Sequence, residues 1–546
     1  MRGPIVDEPG HPEPVPGRPP DGGVTARNSM IVSAWTLVSR LSGLLRVVVI
    51  GAVLGPTFFA NIFQAGYVVP NLVYSAIAGP VLAMVLVPTL VRAIGAGGAA
   101  RGRHVFGRVC GCLLTLAGAL AVLLVVLSPL IAWTLTFGIP DPEGRARARQ
   151  LTMVLVLFVA PQLPLFTLAG LGAAAQQARG RFALAAGAGA VENVVLIGTV
   201  IAAGVVFGTG LEVDRVPLPM VVLLGVGSTL AVVLHAALQL FGAARGGVLA
   251  VPVVRWWRDP EARAFARRMS RSFGVAACPA VAMYLLFVLA GTVPGGVLVV
   301  QMAYYVFYGL SYLGARAVSI AALPGLAAAV DRDNPAAFAS AWRQGLTYAV
   351  AASLPMLCLL VVFAAPVAQL LARGEMRTSS VVGQLAASLV VMAVAQLVGG
   401  VHDLGRQALF ARLDERGPRL AGLIALIASL ALAAASMALP AGGQRLLSLT
   451  LAILAGELAA AVTVVVRLRR AISPRPMMDP SALALPVVAA AAMLPIALAG
   501  LWVQSALPVS RAVQLVLLGS GVFVAVGVYL AALRGRLARR IDAAPS

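Results

Sequence analysis

The stretch NSMIVSAWTLVSRLSGLLRVVVIGAVLG, residues 28–55, is apolar enough to span a membrane and yet contains two arginines. Arg40 and Arg46 lie where such a helix would be deepest, and a charge at the bilayer centre costs at least about 2.5–3.5 kcal/mol. On a helical wheel Ser39, Gly43 and Arg46 share one face, with Arg40 beside it. The pattern predicts a helix that turns a small, cationic face to a hydrated cavity.

The next apolar segment, FFANIFQAGYVVPNLVYSAIAGPVLAMVLVPTLVR at residues 58–92, is polar in places and interrupted by proline. Proline removes a helical hydrogen bond and bends the helix. Bent helices with polar side chains are expected along a transport pathway. We therefore predict that Asn61, Gln64 and Asn71 line the cavity.

The whole chain is hydrophobic, with 60% apolar and 11% charged residues among 546 and a mean hydropathy of +0.94. This composition excludes an ordinary soluble protein. Apolar segments long enough to cross a bilayer predict an all-α integral membrane protein with about 14 transmembrane helices. The predicted spans lie near 30–54, 57–92, 109–137, 151–177, 183–207, 219–243, 270–292, 296–325, 341–372, 380–409, 419–440, 445–466, 482–504 and 511–533.

The net charge of +21 comes from arginine alone, because the chain contains no lysine. Arginine collects in the even-numbered connections between predicted spans, for example at 101–108 and 255–271, whereas the other connections are poor in charge. The positive-inside rule then places both termini in the cytoplasm of a bacterial cytoplasmic membrane. Topology thus explains the charge, and no nucleic acid partner is expected. The arginine, alanine, glycine and valine content favours a GC-rich bacterial source.

The segments outside the predicted spans are short. Residues 1–27 are rich in proline, glycine and charge without an apolar signal core, which predicts a disordered cytoplasmic tail. Residues 246–270 predict a basic amphipathic linker on the anionic inner leaflet, and 534–546 a second cytoplasmic tail. Four cysteines lie in apolar runs without nearby histidines, so neither a disulfide framework nor a metal site is expected.

Several motifs, taken in order, resemble a known family. Ser39-Arg40-x-x-Gly43-x-x-Arg46, then Pro70-Asn71-Leu72 and Val87-Pro88, are similar to the opening of the MurJ/MviN family of lipid II flippases, within the multidrug/oligosaccharidyl-lipid/polysaccharide exporter superfamily. The resemblance covers nearly the whole chain. Further motifs that carry it are Ala160-Pro161, Gly180-Arg181-Phe182, Glu192-Asn193, Trp342-Arg343-Gln344-Gly345-Leu346, Leu371-Ala372-Arg373-Gly374-Glu375 and Ala408-Leu409-Phe410-Ala411-Arg412-Leu413-Asp414.

The resemblance implies a transporter, not an enzyme, with two pseudo-symmetric six-helix lobes at 28–245 and 271–470 and two added helices at 471–533. It would move an undecaprenyl-pyrophosphate-linked peptidoglycan precursor, lipid II, from the inner to the outer leaflet by alternating access. The expected partners are this lipid-linked glycan, membrane lipids and proteins of cell-wall synthesis and division. No cofactor is expected, and the membrane potential or an ion gradient would drive transport.

The resemblance also implies site residues. Arg40 and Arg46 would contact the pyrophosphate with Ser39 as a supporting donor, because guanidinium pairs with phosphate oxygens in a bidentate way. Arg316, at mid-depth in the eighth span, is a candidate for the cation of the second lobe. Glu192 and Glu457, two carboxylates in apolar surroundings, are candidates for ion coupling, since burial favours a protonated carboxyl group.

Other readings stay open for several residues. Glu192 with Asn193 also fits a hydrogen-bonded pair within the bundle, and His235 fits a core histidine. The chain has Asn61 where many members of the family have Asp, and Tyr74-Ser75 where they have an arginine pair. The alternatives are therefore a flippase for another lipid-linked polysaccharide or a transport-dead scaffold in cell-wall synthesis.

Overall fold

The computed structural model describes residues 22–77, 82–506 and 511–542, and these are almost entirely helical, with no strand among them. Eighteen α-helices can be followed in this part of the chain. The N-terminal half, as we call it, comprises α1 Gly22–Leu54, α2 Phe58–Ile77, α3 Val87–Val126, α4 Ser128–Thr136, α5 Pro142–Val159, α6 Gln162–Ala178, α7 Ala183–Phe207 and α8 Leu218–Arg245.

The C-terminal half continues with eight helices, followed by a hairpin of two more. Its helices are α9 Pro260–Ala290, α10 Gly296–Leu313, α11 Ala315–Asp331, α12 Pro335–Val362, α13 Ala364–Leu371, α14 Ser379–Ala411, α15 Arg416–Ala435 and α16 Gly443–Ile472. The hairpin, α17 Pro480–Ala506 and α18 Arg511–Asp542, packs on α12, where the Tyr529 hydroxyl donates to the Ala351 carbonyl at 2.6 Å.

Twelve helices of the described residues are long and apolar enough to cross a membrane, against fourteen expected. The two other expected segments correspond to α2, which carries Asn61, Gln64 and Asn71, and to the shorter apolar stretch Ala277–Ala290 at the end of α9. The all-α membrane fold is therefore confirmed, and length and hydropathy alone account for twelve of its spans.

Two predicted boundaries differ from the structure. The helix α1 begins at Gly22, so the last six residues of the predicted tail 1–27 are helical, while 1–21 lie outside the described residues. The helix α18 continues to Asp542, so most of the predicted tail 534–546 is helical, and 543–546 lie outside the described residues. Within the predicted linker 246–270, α9 begins at Pro260 because the Asp259 carboxylate accepts from the Ala262 amide at 2.9 Å and caps the helix.

Glycine interrupts helices where the chain must bend. The helix α3 is broken at Gly97 and Gly98, and Gly98 has a φ of +63°, which a side chain would strain. A one-residue break at Gly314 separates α10 from α11. This second break places Arg316 in the first turn of α11, close to the aromatic face of α10.

The two halves meet along α1 and α10. Val47, Ile50 and Leu54 of α1 are fully buried in one apolar core with Leu298 and Met302 of α10. Close approach depends on a glycine, because a Cβ at position 51 would lie 2.8 Å from Met302 Cε and 2.9 Å from Met376 Cγ. Gly43, a member of the small face that we predicted to turn to a hydrated cavity, also packs against the second half, because a Cβ there would lie 3.2 Å from the Tyr305 ring.

Candidate functional site

Arg46 lies at the centre of a buried polar network between the halves, only 6% exposed. Its Nη1 donates to the Asn193 Oδ1 at 2.8 Å and to the Tyr67 hydroxyl at 3.1 Å, and its Nη2 donates to the Tyr305 hydroxyl at 2.7 Å. Glu192 Oε1 lies 3.8 Å from Nη1. One guanidinium thus connects α1, α2, α7 and α10.

Glu192 is fully engaged in this buried arginine network. Its Oε1 accepts from the Tyr67 hydroxyl at 3.0 Å, and its Oε2 lies 2.7 Å from His235 Nδ1. Asn193, the next residue, donates to the Ser42 hydroxyl at 2.8 Å and to the Ser39 carbonyl at 3.3 Å. The predicted hydrogen-bonded role of Glu192 and Asn193 is therefore what the geometry shows, and His235 is a satisfied histidine with a carboxylate partner.

Arg40 and Arg316 share one aromatic platform, although they come from different halves. The Arg40 guanidinium carbon lies 4.5 Å from the ring centroids of both Tyr308 and Tyr312. The Arg316 guanidinium lies 4.5 Å from the Tyr312 centroid and 5.5 Å from that of Tyr308. We call these four residues the arginine cleft. It joins the two arginines that the sequence predicted as cations of opposite lobes.

The platform follows from helical spacing in α10. Tyr304, Tyr308 and Tyr312 recur every four residues and therefore lie on one face. The Tyr304 and Tyr308 rings stack at 5.9 Å, and the Tyr308 and Tyr312 rings meet edge to face at 4.9 Å. Aromatic faces attract cations, at about 0.5–2 kcal/mol each. The face thus holds two guanidinium groups that would otherwise repel each other.

The arginine cleft carries an excess of positive charge. Arg316 Nη1 lies 3.9 Å from Asp403 Oδ2, and Arg406 pairs with the same carboxylate at 2.5 Å. Arg40 has no carboxylate or carbonyl partner among the residues that the structure describes. The cleft and the two side chains paired with Arg316 and Asp403 thus contain three guanidinium groups and one carboxylate, and the half-buried Arg40 has unused donors. This arrangement suits an anion with several oxygens.

Ser39 and Glu457 have hydrogen-bond partners outside the arginine cleft. Ser39 is half-buried on α1, and its carbonyl accepts from Asn193. Glu457 Oε2 lies 2.9 Å from His402 Nδ1, on α14. His402 and Asp403, adjacent in sequence, thus have different partners, since Asp403 pairs with arginines.

The three polar residues of α2 do not line one cavity, contrary to the sequence prediction. Asn61 is 3% exposed: its amide donates to the Val293 carbonyl at 2.7 Å, and its Oδ1 accepts from the Val297 amide at 3.0 Å. Gln64 is fully buried, with no partner for either amide atom among the described residues. Asn71 is exposed. The helix turns Asn61 and Gln64 into the packed bundle, because they lie on its buried face with Phe63 and Tyr67.

Asn61 belongs to a seal at one end of the bundle. There the Thr209 hydroxyl donates to Glu375 at 2.8 Å, and the Gly295 amide donates to the Thr57 carbonyl at 3.2 Å. Gly295 has a φ of +69°, and a Cβ there would lie 2.5 Å from the Cα of Pro56. Four connections contribute to this seal, which comprises residues 55–57, 208–217, 291–297 and 372–378.

Sequence reasoning missed the tyrosines. Tyr305 binds Arg46, and Tyr308 and Tyr312 hold both arginines of the cleft. Their four-residue spacing in YYVFYGLSY, residues 304–312, was the available signal. Asp403 could not be paired with Arg316 from sequence spacing, since their contact joins residues far apart in the chain.

Comparisons with known proteins agree with this architecture. The sequence model of the family described as Lipid II flippase MurJ matches residues 50–518. The chain is 26% identical over 418 residues to the probable lipid II flippase MurJ of Vibrio cholerae serotype O1, covering 74% of this chain and 76% of that protein.

Two solved structures share the fold. A structure titled "Lipid II flippase MurJ, inward closed conformation" aligns with a TM-score of 0.69 at 13% identity, over 92% of this chain and 99% of that one. An outward-facing MATE family multidrug resistance transporter of the MOP superfamily aligns with a TM-score of 0.54 at 17% identity, over 82% and 95%. The match to the family's sequence model extends over most of the chain, and the chain therefore belongs to the lipid II flippase MurJ family.

Proposed function

We propose that this protein moves lipid II from the inner to the outer leaflet of the bacterial cytoplasmic membrane by alternating access. The observation that carries the proposal is the arginine cleft, in which the half-buried Arg40 lies on Tyr308 and Tyr312 without a carboxylate partner among the described residues, and Arg316 approaches from the other half. A lipid diphosphate loses hydration as its headgroup crosses the bilayer. Paired guanidinium groups compensate for this loss through charge-assisted hydrogen bonds.

We assign the direct contact with pyrophosphate to Arg40 and Arg316. The geometry of Arg46 supports a different role in this conformation, because its terminal nitrogens already bind Tyr67, Asn193 and Tyr305. Contact between Arg46 and substrate would require the halves to separate. We infer that Arg46 holds the halves together at mid-depth and that Ser39 supports the network through its backbone carbonyl.

The orientation of the chain in the membrane determines which side the seal closes. The distribution of arginine favours both termini in the cytoplasm, so the sealed end faces outward. The structure then corresponds to a state that is closed to the outside. In this state a substrate made in the cytoplasmic leaflet would enter the protein from the inside. Alkaline phosphatase fusions test this orientation: fusion after Asp214 is expected to be active and fusion after Val254 inactive, and the reverse pattern would overturn it.

The membrane potential is a sufficient source of energy. Each negative charge of the headgroup that moves outward across a membrane with an inside-negative potential of 100 mV releases about 2.3 kcal/mol. Glu192 and Glu457 remain the candidates for coupling to an ion. Transport also requires enzymes that make lipid II on the inner leaflet and polymerise it on the outer leaflet, and we propose these as functional partners.

The decisive experiment measures movement of fluorescent lipid II by the purified protein in liposomes. Arg40→Gln and Arg316→Gln are each expected to lower the rate about tenfold or more, because each removes a charged hydrogen-bond donor worth about 1.5–3 kcal/mol. Arg215→Gln is the matched control, since Arg215 lies in a loop with its side chain 79% exposed. Its rate is expected to equal that of the wild type.

Each outcome has a distinct meaning. Movement of lipid II that depends on both arginines supports the proposal. Wild-type rates in both cleft variants would refute the assignment of the site. Movement of a lipid-linked polysaccharide precursor and not of lipid II would reassign the substrate, and binding without movement of either lipid would favour a scaffold.

A further inference from the structure

Two histidine–glutamate pairs lie inside the helical bundle, one in each half. Of the four histidines in the chain, His235 and His402 are on apolar helices, and each contacts a glutamate of a neighbouring helix. His235 Nδ1 lies 2.7 Å from Glu192 Oε2, and His402 Nδ1 lies 2.9 Å from Glu457 Oε2. Ionisable groups within membrane spans are costly and usually functional.

The pair His235–Glu192, in the N-terminal half, needs no added proton for its negative charge to be neutralised. Glu192 faces the permanent cation Arg46 at 3.8 Å and accepts from Tyr67. With a neutral His235, these groups carry no net charge. A second proton on His235 would leave an uncompensated positive charge in a site where Glu192 is 7% exposed, which is unfavourable.

The negative charge of the pair His402–Glu457, in the C-terminal half, is not neutralised by any arginine that the structure describes. Among the described residues, no arginine lies within ion-pair distance of Glu457, and His402 is its one such cationic partner. With a neutral His402 the pair carries one negative charge. A second ring proton, bound at Nε2 while Nδ1–H faces the carboxylate, brings the pair to zero. The side chains are 20% and 27% exposed, so a proton can reach them.

The surrounding groups connect this pair with the arginine cleft. A Cβ at Gly399 would lie 3.5 Å from Glu457 Oε2 and 3.6 Å from the Phe307 ring, so the carboxylate lies beside α10. The Tyr304 ring lies 5.6 Å from that of Phe307 and stacks at 5.9 Å on Tyr308, which holds Arg40. Asp403 and Arg406, on the same helix as His402, pair with each other and with Arg316. The helices α12 and α15 place no described charged side chain within ion-pair distance of the pair. The pair therefore lies next to the aromatic side of α10, which also holds the arginine cleft.

We propose that His402 and Glu457 form a proton-binding site that sets the anion affinity of the arginine cleft. Proton binding removes one negative charge near Arg40 and Arg316, and loss of the proton restores it. Because the proton and a phosphate anion then bind cooperatively, each raises the affinity for the other. The proton site stands on its own geometry, whereas its effect on substrate rests on the proposed function.

The first test needs no substrate. Nuclear magnetic resonance of protein with isotope-labelled histidine, in nanodiscs between pH 5.5 and 8.5, reports the ring protonation of each histidine. His402, identified by the signal lost in His402→Gln, is expected to gain its second proton as the pH falls, while His235 stays singly protonated. Glu457→Gln is expected to reduce the protonated fraction of His402 at pH 6, since the carboxylate that stabilises the imidazolium is gone.

The outcomes of this titration are clear. A His402 that stays singly protonated throughout the range, or that titrates identically in Glu457→Gln, would overturn the proton site. Protonation of His235 in the same range would overturn the charge-balance argument that separates the two pairs. The exposed His104 on α3 serves as the reference for a solvated histidine.

The second test measures binding of fluorescent lipid II at pH 6 and pH 8. The wild type and the control His104→Gln are expected to bind about fivefold or more tightly at the lower pH. His402→Gln and Glu457→Gln are expected to lose this dependence. A wild type that binds lipid II equally at both pH values refutes the link to the cleft. A wild type that binds no lipid II refutes the proposed function, and the titration then still decides the proton site.

Discussion

The guanidinium of Arg46, in the first helix, donates a 2.7 Å hydrogen bond to the hydroxyl of Tyr305, 259 residues later in the chain. This bond joins the two halves of the molecule through a buried guanidinium, since Arg46 is only 6% exposed. Because Arg46 also faces Glu192, the contact belongs to a network whose members depend on one another. The network is a structural element of this conformation.

Removal of Arg46 is therefore expected to destabilise the fold as well as to impair transport. Arg46→Ala leaves the buried Glu192 without its permanent cation, which costs about 3–5 kcal/mol. Arg46→Ala combined with Glu192→Gln is expected to recover a large part of the loss, because it removes the orphaned charge. Thermal unfolding in detergent measures both. Equal stability of the single and double variants would show that the pair is not coupled.

Tyr305→Phe tests the contact between the halves with a smaller change, the loss of one hydroxyl group. The ring and its packing remain, and only the acceptor for Arg46 Nη2 is lost, so unfolding should become easier by about 1–3 kcal/mol. Tyr348→Phe, on an exposed tyrosine, is the control. If the two variants had the same melting temperature, the contact between Arg46 and Tyr305 would contribute nothing to stability.

Arg40→Lys is expected to transport lipid II several-fold more slowly than the wild type. Lysine keeps the charge but loses the planar group that stacks on Tyr308 and Tyr312 and grips phosphate with two parallel donors. Rates in liposomes measure the effect, with Arg215→Lys as the control. Full activity of Arg40→Lys would mean that charge alone is required at this position.

Asn61→Asp is expected to destabilise the protein, although many members of the family have Asp there. The Asn61 amide donates to the Val293 carbonyl at 2.7 Å, and a carboxylate would place oxygen against oxygen. The loss should be about 1–3 kcal/mol at pH 7 and smaller at low pH, where the acid regains a donor. Asn71→Asp, at an exposed position of the same helix, is the control. An unchanged melting temperature of Asn61→Asp would contradict the model of the seal.

Asp414, in the loop between α14 and α15, and Arg467 form a pair whose contribution to stability depends on pH. The hydrogen bond from Arg467 holds the pKa of Asp414 below its usual value, and the Gly417 amide also donates to this carboxylate at 3.0 Å. The stabilisation is therefore present above pH ~4 and disappears as the pH falls through the lowered pKa. Since the pair is partly exposed, Asp414→Asn should cost about 1 kcal/mol or less at pH 7.

Unfolding at pH 7 and pH 3 measures this difference. The cost of Asp414→Asn is expected to be smaller at pH 3, where the wild-type carboxylate is partly protonated and has itself lost the ion pair. Asp331→Asn, at the exposed C-terminal end of α11, is the control. A cost that grows towards pH 3 would contradict the assigned direction.

Much of the fold could be predicted from local pattern, because each membrane helix requires its own apolar run. Arg40, Arg46 and Arg316 stood out for the same reason, since a charge in such a run needs a partner. The partners themselves are distant in sequence: Arg46 finds Tyr305 and Arg40 finds Tyr312 only through packing of the halves. The prediction that Asn61 lines a cavity was wrong, because a polar residue in an apolar helix can equally face water in a cavity or bind a buried backbone carbonyl.

The seal described above has a consequence for evolution. Much of it is built from main-chain atoms, among them the Thr57 carbonyl, the Gly295 amide, and the Val293 carbonyl that receives Asn61. Main-chain groups are the same in every sequence that keeps the fold. Side chains that take no part in these bonds are therefore free to change without loss of closure, whereas the Asn61 side chain is not. Selection at this end acts largely on backbone shape, with Gly295 and Gly374, both at positive φ, among the constrained positions.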